Sequence, residues 1–175
     1  TGIQVLAATY ARENLASYNI IEAASNHVRD TLTYENPIPG LYSAQEALRT
    51  GKVDCGGFDT LFVSICQAAS IPARVVSGFW TDSVAAMHAW AEALLPNGTW
   101  LSIDPSVEYL LKRHRTNRIG GVGRTGADRV IYSYGCDIPL QINGEEIVVD
   151  ILQTPLLFPT TTPIQLTYRF TNTTL

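Results

Sequence analysis

Basic residues are scarce in this chain. Twelve Lys and Arg stand against sixteen Asp and Glu, for a formal net charge of -4. That balance argues against nucleic acid as a partner, because binding there needs a Lys/Arg-rich face that displaces phosphate counterions. Long apolar runs are also missing: the best stretch, Leu61 to Val76, is interrupted by Ser64, Gln67, Ser70, Pro72 and Arg74, so no transmembrane segment is expected. Cysteine is rare and odd in number. Cys55, Cys66 and Cys136 contain no C-x-x-C pair and leave at least one thiol free, which excludes a disulfide framework. A zinc site would need a mixture such as Cys55, Cys66 and His88 without ligand spacing, and no acidic D-x-D-x-D loop points to calcium. No metal or other cofactor is expected. The chain opens on Thr1, so any leader peptide would already be gone and the compartment is not legible.

What is present fits one domain over residues 1–175. A 46% hydrophobic composition at this length supports a single core that buries about two thirds of the unfolded surface. Apolar residues at helical spacing predict helices over Ile3–Ser17 and Tyr18–Tyr34, ended by Glu35-Asn-Pro-Ile-Pro-Gly40. Ser43 and Glu46 form a capping-box pattern for a short helix to Arg49. Phe58–Ala69 reads as a buried helix, Ala73–Phe79, Ala89–Leu95 and Trp100–Ile103 as strands, and Val107–Arg113 as a short helix. Farther on, Val130–Ile142, Ile147–Leu152 and Ile164–Thr171 are predicted strands, with Asn143-Gly144 as a hairpin turn. Residues 107–175 thus form a β-rich extension, and Pro159–Pro163 resembles a hinge toward further domains of a larger parent protein.

The stretch VDCGGFDTL at residues 53–61 puts a cysteine at the threshold of the buried helix. Free N–H groups and the positive end of the dipole there favour thiolate over thiol. Gly56 and Gly57 would let the backbone turn sharply and let a substrate carbonyl approach, so that the Cys55 N–H holds an oxyanion. Asp54 and Asp59 oppose the thiolate, so a cationic partner is required. Of three histidines, His27 and His114 read as solvated surface, whereas His88 opens a strand beside Trp90.

Whether Asp104 can orient His88 depends on one turn. A two-residue Asn97-Gly98 hairpin makes facing positions sum to 195 and puts His88 and Asp104 on opposite faces. A three-residue Pro96-Asn97-Gly98 loop, with Gly98 left-handed in a bulge, makes the sum 194 and brings them to one side. In that register the carboxylate can fix the imidazole tautomer, completing a set of nucleophile, base and orienter.

CGGFDTLFVSICQAASIPARVVSGFW, then MHAWAEALLPNGTW, then LSIDPS resemble the three signature blocks of the transglutaminase-like superfamily, a branch of papain-like cysteine enzymes, in order from Ser43 to Ser106. The resemblance implies an α+β fold with the nucleophile at a helix N-terminus packed on an antiparallel sheet. It also implies acyl transfer on peptide or protein amides through a thioester on Cys55, with His88 as base and acid and Asp104 as orienter. The family's second oxyanion donor lies upstream of the cysteine; Tyr42, Gln45 and Asn36 compete, with Tyr42 or Gln45 favoured. Trp90 lines the site, and Arg74, Trp80 and Glu92 read as structural. The same blocks fit a catalytically idle domain that binds peptides or proteins in the cleft.

Three further patterns carry little. Gly121-Val-Gly123-Arg-Thr-Gly126 spells G-x-G-x-x-G, but no apolar strand precedes it and no helix follows. The arginines of residues 113–129 read as a mobile, solvated loop, with a second reading as the border of a substrate groove. Asn172-Thr-Thr174 is a glycosylation sequon at the chain end.

Overall fold

In the computed structural model, residues 2–13, 15–35, 42–81 and 86–153 are described. The fold is α+β. Helices α1 (Gly2–Arg12) and α2 (Ser17–Thr31) lead to a two-residue strand β1 (Thr33–Tyr34), then α3 (Ala44–Thr50), β2 (Lys52–Val53) and the central α4 (Cys55–Ala68). The Ser43 side chain accepts from Glu46 N–H while the Glu46 carboxylate accepts from Ser43 N–H, so the capping box is complete. Short β1 runs parallel to β2, pairing Thr33 with Lys52 and Tyr34 with Val53. That pairing anchors Tyr34 two residues before the cysteine.

Helix α4 is apolar nearly all round, as a helix enclosed on every side must be. Phe58, Leu61, Phe62 and Ile65 are wholly buried, each worth roughly 1.5–3 kcal/mol of transfer free energy. Cys66 belongs to this core, its thiol pushed up to about 12 by burial. Against α4 lies an antiparallel sheet of order β5-β4-β3-β6, built from β3 (Ala73–Trp80), β4 (Met87–Leu94), β5 (Trp100–Ile103) and β6 (Arg129–Tyr134). Alternation sends Ala73, Val75, Ala89, Ala91, Ala93 and Ile103 into the core, where the alanines let the helix approach. Arg74, His88, Trp90 and Glu92 occupy the alternate positions.

The β4–β5 connection is the three-residue loop. Leu95 N–H donates to the Thr99 carbonyl at 2.9 Å, and Gly98 has φ +84°, a left-handed conformation that glycine adopts without a Cβ penalty. Ala91 faces Ile103, Glu92 faces Ser102 and Ala93 faces Leu101, so facing positions sum to 194. Beyond Ile103, helix α5 (Pro105–Lys112) starts at once, with Asp104 as its N-cap and Pro105 in its first turn.

The predicted strand Val130–Ile142 is in fact two. Strand β6 ends at Tyr134, because Gly135 and Asp137 have φ of +88° and +52°, and β7 (Ile138–Ile142) then pairs with β8 (Glu145–Val149) in a separate hairpin. Asn143 and Gly144 both have positive φ, as its two-residue turn demands. Ile164–Thr171, the Pro159–Pro163 hinge, Asn36 and Asn172 lie outside the described residues. No helix among the described residues is long and apolar enough to cross a membrane.

Candidate active site

Cys55 is the first residue of α4, and Asp54 caps the helix by accepting the Gly57 N–H at 3.4 Å. The glycines do not make the expected sharp turn. Gly56 and Gly57 belong to the first turn of the helix, and neither is among the glycines with positive φ. Gly57 is needed for a different reason: a Cβ there would run into the Val53 side chain of β2. The absent side chain lets α4 start tightly against the strand that precedes it.

The Cys55 sulfur accepts a hydrogen bond from the Ala89 N–H, which places it beside the start of β4. Its thiol is nonetheless pushed well above the ordinary range, first by burial and then by the charges of Asp59 and Asp54. The helix terminus, taken from sequence as favouring thiolate, is outweighed. Asp54 is itself raised by burial, against the backbone N–H groups that it caps.

His88 Nε2 and Asp104 Oδ2 lie 2.8 Å apart, with His88 4% and Asp104 0% exposed. Nδ1 is then the ring nitrogen left to exchange a proton with a thiol. The imidazole stacks on Trp80, with ring centroids 4.1 Å apart, and lies nearly parallel to Trp90 at 6.0 Å. Asp104 has four donors. Oδ2 also accepts from Arg129 Nη2 at 2.7 Å, while Oδ1 takes the Ser106 hydroxyl and the Val107 N–H, both at 2.9 Å. Burial alone would raise this carboxyl, yet His88, Arg129 and the α5 backbone hold it below its usual range.

Arg129 was not singled out from sequence. Its side chain is 4% exposed, bonds Asp128 at 2.8 Å and the Ile119 carbonyl at 3.0 Å, and lies 4.6 Å from the Trp80 ring centroid. The basic stretch, read from sequence as a solvated loop or the border of a substrate groove, is thus tied to the site through Arg129. Arg118 sits 3.8 Å from the Trp80 centroid, and Arg115 donates to the Tyr34 carbonyl at 3.3 Å. The signal in the sequence was the need for a second cation near three aspartates.

Asp59, one turn after Cys55, is fully buried, and among the described residues neither of its carboxylate oxygens has a hydrogen-bond partner. Its carboxyl is raised well above the usual range by burial and by Asp104 and Asp54, with Arg129 opposing. Tyr34 faces the same cluster: burial, then Cys55, Asp54, Asp104 and Asp59, all push its hydroxyl up. By contrast Gln45 is exposed on α3, and Tyr42 lines a cavity of about 590 Å³ with Thr60, Val63 and Ser64 of α4. Arg74 bonds Glu92 at 2.7 Å and packs under Trp100 and Tyr134. Among the described residues, no three His, Cys, Asp or Glu side chains are grouped to hold a metal ion.

A cysteine at the head of a buried helix, packed on an antiparallel sheet that carries a buried His–Asp pair, defines the papain-like class of folds. Within it, the chain belongs to the Transglutaminase-like superfamily, whose profile matches residues 4–105. None of the curated proteins matches. Among solved structures, the periplasmic domain of TgpA from Pseudomonas aeruginosa shares 22% identity over 65% of this chain and 45% of that one, with a TM-score of 0.54, a likeness of fold. A candidate cysteine protease from Cytophaga hutchinsonii shares 20% identity over 79% of this chain and 48% of its own, with a TM-score of 0.45. Legionella pneumophila LapG shares 20% over 59% and 71%, again at 0.45. The chain spans about half the length of the first two.

Proposed function

We propose that this domain is a cysteine-dependent acyl-transfer enzyme acting on peptide or protein amides, with Cys55 as nucleophile, His88 as base and acid and Asp104 as orienter. The observation that carries the reading is the buried 2.8 Å contact between His88 and Asp104 in the sheet whose next N–H, that of Ala89, meets the Cys55 sulfur. In the reaction the thiol proton passes to His88 Nδ1 as sulfur attacks the amide carbonyl. The imidazolium is stabilised by Asp104 and returns its proton to the departing amine or ammonia. A thioester on Cys55 remains, and water or a second amine resolves it. The oxyanion is held by the Cys55 N–H and by the Tyr34 hydroxyl; Tyr34 supports this role better than Tyr42 or the exposed Gln45, because its backbone pairs with Val53, two residues before the nucleophile. Gly56, Gly57 and Trp90 shape the surroundings without taking part in proton transfer.

A second reading, a peptide-binding module without turnover, draws on the surroundings of Cys55, where burial and the neighbouring Asp59 and Asp54 push the thiol up. One experiment separates the two. The protein is incubated with a peptide library and a labelled primary amine and followed by mass spectrometry. The enzyme reading expects hydrolysed or amine-coupled peptides that vanish in Cys55→Ala, and a trapped acyl adduct on Cys55. Peptides bound equally by wild type and Cys55→Ala, with no product from either, would establish the binding module instead.

A further inference from the structure

The peptide unit joining His88 to Ala89 is gripped at both ends. Its N–H donates to the Cys55 sulfur, and its carbonyl accepts from Gln153 Nε2 at 3.0 Å. The same amide reaches the carbonyl of Gly78, the register partner of His88 across β3 and β4, at 3.4 Å. Gln153 is held in place by its neighbour, since the Leu152 carbonyl accepts from the Ser133 hydroxyl at 2.6 Å and from the fully buried Ser77 hydroxyl at 3.3 Å. The segment after β8 therefore returns to the sheet and reaches the backbone of the candidate base at Gln153.

We propose that Gln153 is a positioning residue for the nucleophile: its amide, donated to the His88 carbonyl, fixes and polarises the peptide whose N–H holds the Cys55 sulfur. The inference rests on the reading of Cys55 and His88 given above. Hydrogen bonds in series polarise one another, so a donor on the carbonyl strengthens donation from the N–H of the same amide. Donation to sulfur is stronger for thiolate than for thiol, so the chain of bonds favours the reactive form. It works against a crowded acidic field. Asp54 and Asp59 face the sulfur from α4 and its cap, Tyr34 from β1 and Asp104 from the cap of α5, where His88 on β4 and the Arg129 guanidinium on β6 meet the Asp104 carboxylate. Gln153 adds no charge to that field. It acts through a peptide dipole that already touches the sulfur.

The test is the pH profile of Cys55 alkylation by iodoacetamide in the full chain, read on the Cys55 peptide by mass spectrometry. Gln153→Met keeps the length and removes the donor; Gln153→Glu keeps the length and presents an acceptor to a carbonyl. The alkylation midpoint is expected to rise by about half a pH unit in Gln153→Met and further in Gln153→Glu, roughly a threefold loss of thiolate at fixed pH. A Tm close to wild type should accompany the shift. Midpoints equal to wild type, with or without a lowered Tm, would reduce Gln153 to a structural clamp and overturn the proposal. Should either variant fail to fold, the Ala89 amide proton in the folded wild type decides. It should shift downfield as Cys55 ionises, and a resonance indifferent to that titration sinks the idea. These readouts need no amide turnover, so loss of the enzyme reading and loss of this inference are separately visible.

Discussion

Asp104 performs two tasks with two oxygens. Oδ1 caps α5 through the Val107 N–H, and Oδ2 bridges His88 and Arg129. Replacing it by Ala takes one of two carboxylate partners from the buried Arg129 guanidinium, leaving the part-exposed Asp128, and breaking such a buried pair typically costs about 3–5 kcal/mol. For a chain of this size the expected loss in Tm is roughly 6–20 °C by calorimetry. The double variant Asp104→Ala/Arg129→Met should regain much of that stability without regaining turnover; a double variant as unstable as the single would mean that the cap, not the ion pair, dominates. Asp59 gives a prediction of opposite sign. Its native carboxyl is raised, so between about pH 4, where the unfolded chain releases this proton, and the higher native value, the folded state binds more protons. Its contribution to stability therefore falls as pH rises. Asp104, being depressed, contributes above about pH 4 and loses that contribution as pH drops through its native value. Urea melts across pH 4–8 should show Asp59→Asn gaining on wild type as pH rises. A constant gap between the two would mean that Asp59 is ionised in the fold. Cys55, His88 and Asp104 could be picked out by residue type and spacing, whereas Asp59 was legible only as a charge opposing the thiolate, since its full burial without hydrogen-bond partners among the described residues comes from tertiary packing.

Between elements, the placement of the site depends on two junctions. The first is the β4–β5 hairpin, where Pro96-Asn97-Gly98 left two registers open and the left-handed Gly98 belongs to the one that puts His88 and Asp104 together. Local turn chemistry was legible because proline and glycine constrain φ whatever the rest of the chain does. The second is the β2–α4 junction, and here the same kind of reading went astray. Gly57 looked like a source of backbone freedom, but its role is steric, set by Val53 four residues earlier. Gly57→Ala is accordingly expected to cost about 1–3 kcal/mol through overpacking, and Val53→Ala should relieve most of that cost in the double variant. Denaturant midpoints of the four-member cycle measure the coupling. Strict additivity would show that the clash is absorbed elsewhere and that Gly57 is replaceable.

At the scale of the whole molecule, the helices and the first three long strands follow from periodicity, and the break at Gly135–Asp137 does not, because positive φ at Asp137 has no residue-type signature as firm as glycine's. More consequential is where the site draws its parts. The family profile ends at residue 105, yet Arg129 on β6 neutralises Asp104 and Gln153 holds the His88 carbonyl. Strand β6 also covers the outer edge of β3, whose Val75, Val76 and Phe79 are buried. A fragment ending at residue 128 keeps every motif residue but uncovers that edge, leaves a buried carboxylate with one cation fewer, and offers unpaired backbone donors and acceptors to any neighbouring chain. It is expected to lose the cooperative thermal transition and to self-associate, as read by circular dichroism and sedimentation velocity, while the full chain melts cooperatively. If the fragment melts cooperatively at the full chain's temperature and its Cys55 alkylates as in the full chain, residues 129–175 are an appended unit. If it does not, the working site extends at least one strand beyond the region that the family signature marks.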